Sequence, residues 1–131
     1  MKERLLSVLP AAANADAEFA LAARMWDAEV VFSDGGDALK MVVRDGVVRD
    51  VAACEPGAAA QIRISGAPGG WEKMLMPIPP AFYQDLFGAA QRHDFVLEGR
   101  IEDIGPYYPA LRRVIELARG ADDAGRRDGA L

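Results

Sequence analysis

Residues 29–54 read EVVFSDGGDALKMVVRDGVVRDVAAC, and this stretch decides the fold. Val30 and Phe32 alternate with Glu29 and Val31, the two-residue period of a strand, until Asp34-Gly35-Gly36-Asp37 supplies a glycine turn. Leu39, Met41 and Val43 resume the alternation. Asp45-Gly46 is a second turn signal, because a two-residue hairpin that follows strand twist needs positive φ at both positions. Val47, Arg49, Val51 and Ala53 then alternate with Val48, Asp50, Ala52 and Cys54. Tight turns join only antiparallel neighbours, so the stretch predicts a three-stranded meander.

On the N-terminal side, Asn14 or Asp16 can cap a helix that repeats Phe19, Ala22, Ala23 and Trp26 at helical spacing. On the other side, Glu55-Pro56-Gly57 ends the third strand, and Gln61–Ser65 forms a fourth with Ile62 and Ile64 on one face. A helix from Pro68 or Gly70 carries Trp71, Met74 and Leu75. It must stop near Met76, since Pro77, Pro79 and Pro80 remove donors and disfavour helical geometry before them. A new helix is expected with Pro80 in its first turn, carrying Phe82, Tyr83, Leu86, Phe87 and Ala90 and closing at His93-Asp94. Phe95–Gly99 reads as a fifth strand. A last amphipathic helix runs through Tyr107, Tyr108, Leu111, Val114, Ile115 and Leu117 to a stop at Gly120.

These elements predict an α+β fold: a five-stranded, mainly antiparallel sheet with helices on one face enclosing an apolar cavity. A chain of 131 residues is one domain, 1–131, with an ordered core over about 14–120 and a Gly-, Asp- and Arg-rich tail, 121–131, expected to be disordered. The open sheet leaves edge strands through which two copies can pair, so a homodimer is one expectation.

Composition narrows the function. With 51% hydrophobic and 27% charged residues the chain is globular, and a formal net charge of -5 argues against nucleic-acid binding, which needs concentrated Lys and Arg. No basic face for anionic membranes is evident, and no segment approaches the roughly 20 apolar residues that cross a bilayer. Cys54 is the single cysteine, so no internal disulfide can form. Met1–Leu6 lacks the apolar run of a signal peptide, and a cytoplasmic location is expected. The wealth of Ala, Gly, Arg and Asp suggests a bacterium with a GC-rich genome.

The order of elements, with Gln61–Gly66 as a strand ending in Ser-Gly before a helix, Trp71 in that helix, and Phe95–Arg100 as a strand before the last helix, resembles the type-two sterol carrier protein lipid-transfer family over roughly Phe19 to Arg119. That resemblance implies a sheet with helices packed on one face around a tunnel for fatty acyl chains, acyl-CoA or sterols. Arg100 stands where the family usually has an acidic residue, and Gly129-Ala130-Leu131 is not the peroxisomal signal of eukaryotic members. The Met76-Pro77-Ile78-Pro79-Pro80 insert is closer to a bacterial subgroup of unknown role.

The helices carry more large apolar side chains than one sheet face needs. Trp26, Trp71, Met74, Ile78, Phe82, Tyr83, Leu86, Phe87, Tyr107 and Tyr108 are therefore the expected ligand-binding set, with Arg100 near the mouth to meet a carboxylate or phosphate head. The plain alternative is that the same stripe is solid core. His93 with Glu98 can be imagined as a proton-transfer pair, but a helix-terminal His93 beside the dipole is the simpler reading. Cys54 reads as a buried, inert thiol, and the turn aspartates as turn chemistry. Neither a metal nor a cofactor is expected. The function that follows is binding or carriage of a small hydrophobic ligand. The competing readings are a small acid–base enzyme using the same cavity, or an accessory module that docks a partner enzyme.

Overall fold

The computed structural model describes residues 1–130, with side chains through residue 120, and the last helix continues to Ala130 instead of stopping at Gly120 as expected. The elements are α1 (Lys2–Val8), α2 (Ala11–Ala15), α3 (Ala17–Ala22), β1 (Ala28–Ser33), β2 (Ala38–Arg44), β3 (Val47–Cys54), β4 (Ile62–Ser65), α4 (Pro68–Met74), α5 (Leu86–Arg92), β5 (Val96–Glu98), α6 (Ile101–Ile104), a 3-10 turn (Gly105–Tyr107) and α7 (Tyr108–Ala130).

The five strands form one sheet in the order β3-β2-β1-β4-β5. β1–β2, β2–β3 and β4–β5 are antiparallel, and β1–β4 is parallel, in the register Val30↔Ile62 and Phe32↔Ile64. The meander forms as its turns require: Asp45 and Gly46 have φ of 50° and 75°, the pair of left-handed positions a two-residue hairpin needs. A side chain at Gly46 would meet the Ala23 carbonyl at 2.8 Å, so glycine there also admits α3 to the sheet. At the first turn the Asp34 carboxylate accepts from the N–H groups of Gly36 and Asp37, the local aspartate chemistry expected of it.

The parallel β1–β4 pair requires a crossover, and residues 55–61 make it. Arg63 holds that segment by donating to the Pro56 and Ala58 carbonyls. Because Arg63 alternates with the core residues Ile62 and Ile64, the crossover lies on the face away from the core, where Val31 and Ala38 are also buried. The opposite face is apolar. Val30, Phe32, Leu39, Met41, Val43, Ile62 and Ile64 pack there in one cluster with Leu5, Phe19, Trp71, Leu86, Leu111 and Val114 from the helices.

Two further expectations about the helices change. The chain before residue 14 contributes α1 and α2, whose Leu5, Val8 and Ala13 are buried in the core. The helix expected from Pro80 begins instead at Leu86, because Phe82 takes a left-handed φ of 67° that a helix cannot contain. Phe82 and Tyr83 therefore lie in an irregular strap, residues 75–85, rather than on a helical face. Asp16 caps α3 by accepting from Phe19 N–H at 2.8 Å. Asn14 does something else: its amide pairs with both the N–H and the C=O of Val48, occupying the ladder groups of an edge strand. Cys54 is half-buried rather than buried, since it ends the edge strand.

Candidate functional site

The strap has no sheet or helix ladder, so side chains from elsewhere satisfy its backbone. Arg119 on α7 donates from Nε to the Met74 carbonyl at 2.7 Å and from Nη2 to the carbonyls of Tyr83 at 2.9 Å and Gln84 at 3.3 Å. One guanidinium thus ties both ends of the strap to one helix. His93 lies 3.2 Å from the Ala81 carbonyl through Nε2 and stacks on Tyr83 with ring centroids 3.9 Å apart. Tyr108 donates its hydroxyl to the Asp85 carboxylate and accepts from Phe87 N–H at 3.2 Å. Asp85 is the N-cap of α5 yet makes no side-chain cap, and the phenol serves that end of the helix in its place. Burial, and then the bond to Asp85, push the Tyr108 hydroxyl above its ordinary pKa.

Between the strap and α7 lies an open cleft of about 710 Å³, lined by Met76, Pro77, Ile78, Arg113, Glu116, Arg119 and Gly120. That volume falls within the ~300–1,000 Å³ usual for small-molecule sites. Its apolar wall is the strap, where Ile78 is 85% exposed and Met76 43%. The polar wall is one stripe of α7, since positions 113, 116, 119 and 120 recur at helical spacing.

The charges on that stripe are unequal. Arg113 makes two 2.9 Å bonds to the Asp16 carboxylate and lies 3.4 Å from Glu18 and 3.5 Å from Glu116. The Asp16 bond from Arg113 is the main reason its carboxyl is lowered to about 2. The same bond raises Arg113 above its ordinary value. Arg119 has no carboxylate within 4 Å among the described residues, and desolvation lowers its pKa, with Glu116 and Asp85 acting the other way at longer range.

The expected ligand set is divided rather than gathered round one void. Ile78 lines the cleft. Trp71 is buried under the sheet, its indole N–H donating to the Ser33 carbonyl at 2.8 Å and its ring edge-on to Phe32 and Phe95. Met74, Tyr83 and Leu86 are buried in the same core, whereas Phe82 and Phe87 are 47% and 44% exposed. Arg92 sits over the Phe82 ring at 4.8 Å, and Phe87 stacks on Tyr108 at 4.2 Å. Trp26 and Tyr107 stack at 5.3 Å and border a separate crevice of about 40 Å³ with Asp27, Ala28, Gln61, Glu102 and Asp103. Arg100 is exposed and held by Asp103 at 3.1 Å, the bond that raises its pKa. It lines neither cavity. His93 and Glu98 share no hydrogen bond among the described residues; His93 is engaged with the strap, and Glu98 is exposed on β5.

Sequence reasoning missed Arg113, Glu116 and Arg119. Their i, i+3, i+6 spacing is a signal present in the sequence, beside the apolar stripe of the same helix. What spacing alone could not show is that the charged stripe faces the proline break.

No protein-family model matches the chain, and no curated protein sequence does. Solved structures do match in fold. A crystal structure of sterol carrier protein 2 superposes with a TM-score of 0.74 at 19% identity, covering 91% of this chain and 95% of that one. The solution structure of a conserved hypothetical protein from Thermus thermophilus, described as possibly a sterol carrier protein, gives 0.69 at 18% identity, covering 92% and 87%. A ubiquinone synthesis protein, UbiJ-SCP2, gives 0.58 at 16% identity, covering 89% of each chain. In fold, the protein is a sterol carrier protein 2-like domain: α+β, with a five-stranded mixed sheet that is mostly antiparallel. No helix among the described residues is long and apolar enough to cross a membrane.

Proposed function

We propose that this protein binds and carries a small hydrophobic ligand, an acyl chain, an acyl-CoA or a sterol-like molecule, without chemical turnover of its own. The observation that carries the reading is the cleft: about 710 Å³ beside a strap that leaves Ile78 and Met76 exposed on a domain of sterol carrier protein 2-like fold. Exposed large apolar side chains grouped along one segment mark an interaction site more often than scattered ones do. Each methylene buried there contributes about 0.8 kcal/mol, so a medium-length chain offsets the cost of association. Ile78 is the member of the expected set in direct reach of such a chain, with Met76 and Pro77 beside it. Phe82 and Phe87 are partly exposed, and Tyr83, Leu86, Trp26, Trp71 and Met74 are buried framework. A carrier role in the cytoplasm of a bacterium fits the composition and single cysteine.

The test is native mass spectrometry of the protein purified from its own cells, followed by solvent extraction and rebinding of a fluorescent acyl probe. A co-purifying apolar molecule and saturable rebinding are expected. A protein that emerges unliganded and takes up no probe would end the carrier reading.

A further inference from the structure

The sheet ends at β3, and the outer edge of that strand is open over one short window. At the first hairpin the Asp34 N–H donates to the Asp37 carbonyl, which makes Phe32/Leu39 and Val30/Met41 the bonded pairs of β1 and β2 and turns the backbone groups of Ala38 and Lys40 towards β3. Ala38 stands opposite Cys54 and Lys40 opposite Ala52, so the N–H and C=O groups of Val51 and Ala53 point away from the sheet, where no strand lies. Asn14 closes one end of the window by taking both backbone groups of Val48. Pro56, which has no N–H, closes the other.

We propose that a second copy of this chain pairs antiparallel with β3 about a two-fold axis at Ala52, joining the two sheets into one. The window is its own complement. Counting outward from Ala52, Val51 meets Ala53 of the second copy, Arg49 meets its Glu55, and the two closed ends, Val48 and Pro56, fall opposite one another. Val51 and Ala53 are the residues whose backbone groups point outward, so they exchange ladder bonds on both sides of the axis. Arg49 and Glu55 are exposed, neither is in an ion pair among the described residues, and the symmetry sets them against each other twice. Ala52 and Ala53 are exposed and small, so no side chain holds the backbones apart. Moving the axis to Val51 drives Cys54 of the second copy against Val48, where Asn14 already sits, and moving it to Ala53 sets Pro56 opposite Asp50; both lose the Arg49–Glu55 pair. The other edge strand, β5, has only three residues and offers no comparable window. Self-complementarity of charge and of ladder groups favours a second copy over an unrelated strand.

The experiment is sedimentation velocity over a concentration series on the full chain: wild type, Arg49→Glu, Glu55→Arg and the double variant. Both positions are exposed, so all four proteins should fold. Wild type is expected to dimerise reversibly. Each single change sets like charges opposite one another twice and should weaken the dimer about tenfold, and the double variant should recover most of that loss. A second measurement fixes the register. Ala52→Cys in a Cys54→Ser background should form a reducible covalent dimer under mild oxidation, because facing residues of a non-hydrogen-bonded pair stand about 4.5 Å apart at Cα, within disulfide reach. A wild-type protein that stays monomeric up to millimolar concentration overturns the proposal. So does a dimer that the single variants leave unchanged or the double variant fails to restore, or one in which Ala52→Cys does not cross-link.

Discussion

The meander and the strap solve the same problem in opposite ways. In the meander, backbone groups are satisfied by ladders from Ala28–Ser33 to Val47–Cys54, and the large apolar side chains of its inner face are buried. Along residues 75–85 no ladder exists, and the backbone hangs on Arg4, Arg119 and His93. Here Ile78 and Phe82 reach solvent, although they are no less apolar than Val30 or Phe32. The difference teaches that exposure in this protein follows backbone satisfaction rather than hydrophobicity. Segments held by a few side-chain bonds open at lower free energy than sheet cores, which suits the proposed carrier role.

If that contrast is correct, substitutions on the two sides should differ in both size and kind. Trp71→Ala should have the largest effect, about 3–5 kcal/mol in urea denaturation, because it empties a buried site and leaves the Ser33 carbonyl one donor short. A loss under about 1 kcal/mol would mean that the core beneath the sheet is not closed. Arg119→Gln should cost about 1.5–3 kcal/mol and speed hydrogen exchange across residues 75–85 while the meander keeps its protection. Uniform acceleration would show that strap and sheet open together, and the distinction between them would fail.

Asp16 links α3 to α7, and its pKa sets a pH dependence. Its folded value, about 2, lies below the ordinary 3.8, so the unfolded state takes up the proton first. Its contribution should be complete above about pH 4 and drain away as the pH falls towards 2. Asp16→Ala should cost about 1–2 kcal/mol at neutral pH, from the lost cap and ion pair, and flatten that acid limb. Tyr108→Phe should cost about 1 kcal/mol, seen as faster exchange at the start of α5. Smallest of all, Ile78→Ser should leave stability within about 0.5 kcal/mol of wild type yet weaken binding of the acyl probe. An Ile78→Ser protein that binds the probe unchanged would place the ligand elsewhere.

Much of the fold was legible because its signals are local. Asp45-Gly46, the alternation through Leu39, Met41 and Val43, and the prolines after Met76 each act within a few residues, and the structure bears out the strands and the helix stop they imply. The helix expected from Pro80 fails for a reason no local pattern records: Phe82 turns left-handed as Tyr83 stacks on His93 and its carbonyl meets Arg119. Less of the site was legible. Ile78 reaches the cleft and Arg100 does not, since Asp103, one turn along, takes its guanidinium.

By itself the sequence determined the antiparallel meander, the break between α4 and α5, and the abundance of large apolar side chains beyond what one sheet face covers. Turn geometry, proline sterics and side-chain period are properties of short segments, so they can be read without knowing what lies opposite. The tertiary structure alone decided the parallel β1–β4 pairing, which the crossover at 55–61 makes, and which charged stripe faces the strap. It also decided that Arg113 is matched by Asp16 from across 97 residues of chain while Arg119 meets carbonyls and the Met74 thioether but no carboxylate within 4 Å among the described residues. Coulombic and hydrogen-bond partnership depends on distance in space, and a linear pattern carries no record of which carboxylate a folded chain will bring to which cation.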